Sequence, residues 1–448
     1  MRPFEALNRR QWLCASGSAI AWTAAGGTNL CLAAPEKRPR VAAVVTEFTY
    51  RSHAHVILEN FLEPYLFNGQ VTNSGMDVVS LYVDQFPEGR DMARDVARQY
   101  GIEIFPTIGA TLRRGGSELA VDGVISIGEH GNYPTSERGQ TMYPRKRFFD
   151  EIAAVFRQSG KSVPVFNDKH MSYRWDWAAE MMQVVRELKI PFMAGSSVPL
   201  AQRRPPMELP DHAILDEAIS IHSGGMESYD FHALEVLQSI VESRKGGETG
   251  VSEIQLVEGD DVWKAADEGR WSHSLAAAAM HAAEGKDVGS LKDFLEPADG
   301  NKHAVHAILI KYRDGLRATV LRIGASATRW AFAGRVRGSA QPLATSFYVG
   351  PWQNRNLFKA LSHAIQAHIR DRKAPYPVER THLVTGMLAA AMDSRFEKHR
   401  PIATPHLDIA YQPDDFRSMR EMGASWNIIT EDVAQPMGIP AGGTLRRD

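Results

Sequence analysis

Val163-Pro-Val-Phe-Asn-Asp-Lys-His170 is an apolar run that stops abruptly in four polar residues. After a helical segment, such a run reads as a buried parallel strand, and in open α/β sheets ligands sit just beyond the carboxyl ends of such strands. Lys169 is thereby placed where chemistry is done. The competing reading makes Asp168 and Lys169 a solvated turn, so the flanking sequence has to decide.

Upstream, apolar β-branched runs at Arg40–Val45, Asp77–Val83, 103–106 and 120–127 alternate with helical patterns, the last of which, 146–159, leads into Val163. Downstream, a helix over 178–188 and a strand over 191–194 end at Gly195-Ser196-Ser197. This alternation predicts an α/β fold whose first domain, residues 40–195, is a Rossmann-like parallel sheet with right-handed crossovers. The Pro/Arg-rich piece 202–210 reads as a linker. Strands are then expected at 218–222, 253–257, His306–Tyr312, 318–323, Trp330–Val336 and 345–349, with one helix over 230–244 and helices again over 352–400. Residues 196–445 are thus expected to form an α+β open-sheet domain, one face covered and the other available for pairing in a homo-oligomer.

A chain of 448 residues, 44% hydrophobic and 23% charged, predicts about two globular domains. The net charge of -2, with cations and anions interspersed, offers no basic face for nucleic acid. Asn8-Arg-Arg-Gln-Trp-Leu13, the Ala/Gly-rich run to Leu32 and the charged Glu36-Lys-Arg38 have the order of a secretory signal. The paired arginines point to twin-arginine export of a segment spanning 1–34, hence a periplasmic or extracellular protein without stable membrane insertion. Cys14 and Cys31 both lie in that segment, so the mature chain is expected to carry neither disulfide nor thiol nucleophile.

Three motifs in this order resemble the Gfo/Idh/MocA family of sugar-acting, nicotinamide-dependent oxidoreductases. Asp168-Lys-His170 falls where that family has Glu-Lys-Pro. Gly224-Gly-Met-Glu-Ser-Tyr-Asp-Phe-His232 resembles its glycine pair followed by Asp-x-Gly-x-His. The run 372–379, Ala391-Met-Asp-Ser394 and Pro401-Ile402 resemble its closing helices. The resemblance implies a carbohydrate or polyol substrate, Lys169 and His232 as acid/base partners with Asp168 beside them, and NAD(P) as cofactor.

The first turn departs from that pattern. Counting back from His53, the three fingerprint glycines fall on Val45, Glu47 and Tyr50. Glycine lets a pyrophosphate approach backbone N–H groups at a helix N-terminus. Glu47 would repel that group, and Tyr50 would fill its space. Asp84, where the family binds the adenosine ribose, is present.

The topology gathers Glu47, His53, His55, Glu129, His130, Asp168, Lys169, His170, His222 and His232 at one rim. Glu129, His130, His170 and Trp175 are the substrate-contact candidates, Trp175 by stacking on a sugar ring or as core. A divalent metal is a second use for such a cluster, with His53, His55 and His130 its candidates, although no close ligand motif such as His-Glu-x-x-His occurs. Three outcomes stay open: a dehydrogenase, a cofactor-independent or metal-assisted lyase, hydratase or epimerase on keto sugars, and a non-catalytic sugar-binding protein.

Overall fold

The computed structural model describes residues 37–295, 305–433 and 438–441. The expected export segment, with both cysteines, lies outside the described residues. Among the described residues no helix is long and apolar enough to cross a membrane.

Strand β1 (Arg40–Val45) is the centre of the first sheet. Its alternating side chains feed two cores: Val41, Ala43 and Val45 point one way, Ala42 and Val44 the other. A short hairpin, β2 (Tyr65–Phe67) and β3 (Gln70–Thr72), follows it. The remaining strands are β4 (Asp77–Val83), β5 (Glu103–Ile104), β6 (Gly123–Ile127), β7 (Val165–Asp168) and β8 (Phe192–Gly195). All pair in parallel in the order β5-β4-β1-β6-β7-β8. Strand order reverses at β1, so the crevice beyond its carboxyl end is the ligand position of such a sheet. Helix α1 (His53–Leu62) lies on one face; α4 (Arg145–Ser159) and α5 (Trp175–Glu187) lie on the other. Two short helices, α2 (Ala93–Tyr100) and α3 (Ile108–Arg113), complete the crossovers.

The second sheet has eight strands in the order β16-β11-β12-β13-β10-β14-β15-β9. They are β9 (Gln202–Arg204), β10 (Leu215–His222), β11 (Val251–Glu258), β12 (His306–Tyr312), β13 (Arg317–Arg322), β14 (Trp330–Val336), β15 (Leu343–Tyr348) and β16 (Ile402–Ala403). Among the described residues of this sheet only β10 and β13 pair in parallel. Helices α6 (Ser228–Val241) and α10 (Val378–Phe396) cover one face. The fold is therefore the expected α/β arrangement of a Rossmann-like sheet and a separate mixed sheet.

Three local expectations are corrected. The piece read as a linker is structural, because Gln202–Arg204 pairs with β15 as an edge strand. The sheet face expected to be open for a second subunit is occupied by this chain's own α7 (Asp260–Asp267) and α8 (His273–Glu284). Trp263, Trp271, Leu275 and Met280 from that pair bury Ile219, Ile221, Leu309 and Leu321. Finally, the helix α9 (Asn354–Asp371) does not pack with residues 196–445 alone. Phe358, Leu361, Ala364 and Ile365 join the core of the first sheet beside α1.

Candidate active site

The rim of the first sheet is built from strained backbone. Beyond β1, β6 and β7, Arg51, His130 and Lys169 all have positive φ, at 63°, 69° and 64°, as does Glu227 at the start of α6, at 66°. Such conformations cost a non-glycine residue on the order of 1–3 kcal/mol each and persist where surrounding contacts over-determine them. At Lys169 the contact is a backbone N–H donated to Gly195 O at 3.2 Å. Gly195 is itself at φ +137°, and a Cβ there would stand 2.9 Å from Thr381 Oγ1, so glycine is required.

Lys169 is 4% exposed, and its Nζ lies 2.9 Å from Glu129 Oε1. Arg145, fully buried, donates from Nη2 to the other Glu129 oxygen and from Nη1 to His170 Nε2 at 3.1 Å. Burial alone would raise the Glu129 pKa, but the Lys169 and Arg145 cations hold it well below the usual carboxylate range. His170 also contacts Ser172 O at 2.9 Å and Glu227 Oε1 at 3.0 Å, and burial followed by Arg145 lowers its pKa. Glu129 and His170, expected to touch substrate, are thus engaged within the chain. Of the two, Glu129 pairs directly with Lys169, and His170 joins it through Arg145.

Two imidazoles are fixed through Nδ1. His53, first residue of α1, donates from Nδ1 to Asp168 Oδ2 at 2.6 Å, which leaves Nε2 as the basic nitrogen. His232, in the first turn and a half of α6, contacts Ser196 Oγ through Nδ1 at 2.6 Å; that hydroxyl also accepts from Val198 N–H at 3.0 Å. Burial, then the nearby Lys169 and His53, push the His232 pKa well below its ordinary value, so its ring is neutral at pH 7. His130 packs edge-on to His53 at 5.0 Å, with its pKa lowered to about 4 by burial and then His53. Its Nε2 is buried without a hydrogen-bond partner. The expected trio of Asp168, Lys169 and His232 is therefore assembled, with His53 added.

The metal candidates do not converge. His53 is bound to Asp168, His130 stands beside it, and His55 meets Ile439 O through Nε2 at 2.7 Å and Arg51 N–H through Nδ1 at 2.8 Å. Among the described residues one set of three is compact: His222, Asp230 and His306. There both Nε2 atoms lie at hydrogen-bond distance, 2.8 and 2.7 Å, from the same Asp230 Oδ1, and Gly224 N–H donates to His222 Nδ1. His222 Nε2 therefore carries the proton. Asp230 Oδ2 accepts from Glu227 N–H and closes a capping box. The set anchors the start of α6, which carries His232.

The other half of the rim does not fit a dinucleotide. The loop after β6 crosses the carboxyl end of β1 and is fastened to the end of β4. Gln85 and Asn132 exchange two hydrogen bonds, at 2.8 and 3.0 Å. Asp84, the expected ribose ligand, accepts from Tyr82 (2.6 Å), Tyr133 (2.7 Å) and Arg147 (2.5 Å). Burial would raise its pKa, yet these donors lower it. Glu47 is buried and accepts from Thr49 Oγ1 at 2.8 Å. Arg51 reaches Gln353 rather than Glu47. Tyr50 is placed differently from expectation: it is 41% exposed and lies over His55. Of the two readings of Trp175 the structure has the core one, since it stacks on His382 at 4.7 Å between α5 and α10.

Arg145, Ser196, Tyr133 and Arg147 were not read as site residues. Arg145-Lys-Arg147 carried a signal nonetheless: three cations open a helix whose dipole disfavours them there, so they answer to partners outside it.

No family model matches the sequence, and no curated protein matches it. Solved structures share the fold. GenD2 from gentamicin A biosynthesis, solved in complex with NAD, is 10% identical with a TM-score of 0.53, over 86% of this chain and 99% of that one. The myo-inositol 2-dehydrogenase of Lactobacillus plantarum is 10% identical with a TM-score of 0.50, over 82% of this chain and 99% of that one. The expected likeness to Gfo/Idh/MocA oxidoreductases thus holds for the fold.

Proposed function

We propose that this chain is an enzyme that moves protons on a carbohydrate or polyol without a bound nicotinamide. The observation that carries the reading is the contrast within one rim: Lys169, His53 and His232 are each held by a dedicated partner, while the dinucleotide positions hold one another. The chemistry that suits this set is abstraction of a proton from carbon beside a carbonyl in an oxidised sugar. One neutral imidazole takes the proton, the electron pair moves onto the carbonyl oxygen, and the Lys169 ammonium meets the developing oxyanion. Return of that proton from the imidazolium so formed to the neighbouring carbon gives an isomer. Departure of a group from the next carbon gives a lyase.

A redox reading draws support from the NAD bound in GenD2, but proton transfer of this kind needs no hydride acceptor. The signal-like segment at 1–34 supports an exported protein, which cell fractionation checks. The function is tested by incubating the purified protein in D2O with a panel of keto sugars and oxidised glycosides, nicotinamide omitted. Deuterium entering the carbon next to the carbonyl is expected. Turnover only after NAD(P) is added, or binding without any exchange, would overturn the proposal in favour of the dehydrogenase or the binding protein.

A further inference from the structure

A cavity of about 450 Å³ opens beside the rim, between the N-terminus of α4 and the start of α5. This size is that of pockets that enclose small-molecule ligands. Tyr143, Tyr173 and Trp177 supply its aromatic wall, with the Tyr173 and Trp177 rings edge to face at 5.3 Å. Tyr143 belongs to both places. Its ring faces the cavity and carries the Arg145 guanidinium at 5.0 Å, while its hydroxyl is bonded to the backbone of His130. Tyr143 thus ties the cavity wall to the loop that carries Glu129 and His130.

The charges around the cavity decide what it would hold. Lys146 is paired with Asp150 at 2.7 Å and with Glu180 at 3.2 Å. Arg147 is paired with Asp84 at 2.5 Å and with Glu151 at 3.3 Å. Of these groups Lys146, Arg147, Asp150 and Glu151 line the cavity, two cations against two carboxylates, so an anionic ligand such as a uronate or sugar phosphate finds no net positive charge to hold it. Aromatic faces beside carboxylate acceptors suit an uncharged ring with apolar C–H faces and hydroxyl edges.

We propose that this cavity is a subsite for an uncharged sugar unit linked to the one that reacts, so that the substrate is a glycoside of at least two rings rather than a free monosaccharide. The proposal rests on the carbohydrate reading above, and its test is independent of turnover. Isothermal titration of the full chain would compare a panel of neutral disaccharides with the methyl glycosides of their component sugars and with glucuronate. The best disaccharide is expected to bind about tenfold more tightly than its component methyl glycosides. Trp177→Ala is expected to erase that preference, while Trp177→Phe retains most of it and shows that the fold is intact. Lys169→Ala is expected to leave the preference unchanged, which separates failure of this subsite from failure of the chemistry. Equal affinity for one and two rings, a preference for glucuronate, an unaltered preference in Trp177→Ala, or no binding by any of the panel would each overturn the proposal.

Discussion

At the carboxyl ends of β4 and β1, polar side chains close on one another: Asp84 with Tyr82, Tyr133 and Arg147, and Gln85 with Asn132. Beyond the ends of β7 and β8, two imidazoles are each fixed through Nδ1 with Nε2 left over, His53 by Asp168 and His232 by Ser196. The two halves belong to one sheet, yet they depend on different things. A dinucleotide is bound largely by backbone N–H groups that only glycine leaves accessible. Proton transfer depends on side chains held in place by neighbours. Loss of the first therefore does not entail loss of the second.

The largest effect expected to sharpen this contrast is at Lys169. Lys169→Ala should lower the D2O exchange rate about a thousandfold, read by NMR, because it removes the cation that meets the oxyanion. His232→Ala should do the same, and full activity in both variants would dissolve the distinction between the halves. Asp168→Asn comes next. An amide no longer holds His53 as an Nδ1–H donor with a basic Nε2, and a loss of about a hundredfold is expected, in kcat more than in KM.

A smaller effect should appear in stability rather than rate. Glu235 is fully buried behind Gly195 and bonded to Thr381 at 2.8 Å, and burial raises its pKa from 4.5 to about 7. A carboxyl raised in the folded state contributes stability that is complete below pH 4.5 and is lost as pH rises through about 7. That loss is on the order of 3 kcal/mol. The Glu235→Gln variant should lack it, so its Tm should change less than wild type between pH 5 and pH 8. His130 has the opposite sign: lowered to about 4, it makes the protein less stable as pH falls from 6.5 towards 4. The smallest expected effect is none at all. NADH or NADPH at about 1 mM should leave Tm unchanged, whereas a site filled at a hundred times its Kd would add about 2.7 kcal/mol. A shift of several degrees would break the comparison outright.

The sequence by itself determined the strand alternation of residues 40–195, the placement of Lys169 at a strand end and the loss of glycine at Val45, Glu47 and Tyr50, because each is a local pattern. Periodicity and side-chain chemistry are read along the chain, and they suffice for a Rossmann-like sheet, whereas Lys169 and His232 as partners is what the resemblance to the Gfo/Idh/MocA oxidoreductases implies. What it could not determine is which polar groups consume each other. Glu129 and His170 looked available until Arg145, 16 and 25 residues away, was seen to bind both. Asp84 looked ready for a ribose until Tyr133 and Arg147 reached it from beyond β6. The outer face of the second sheet looked open until α7 and α8 covered it, since the Ala-rich, weakly periodic α8 declares no partner. Side-chain pairing across sequence separations of this size is set by the packing of strands and loops, and only the tertiary structure decides it.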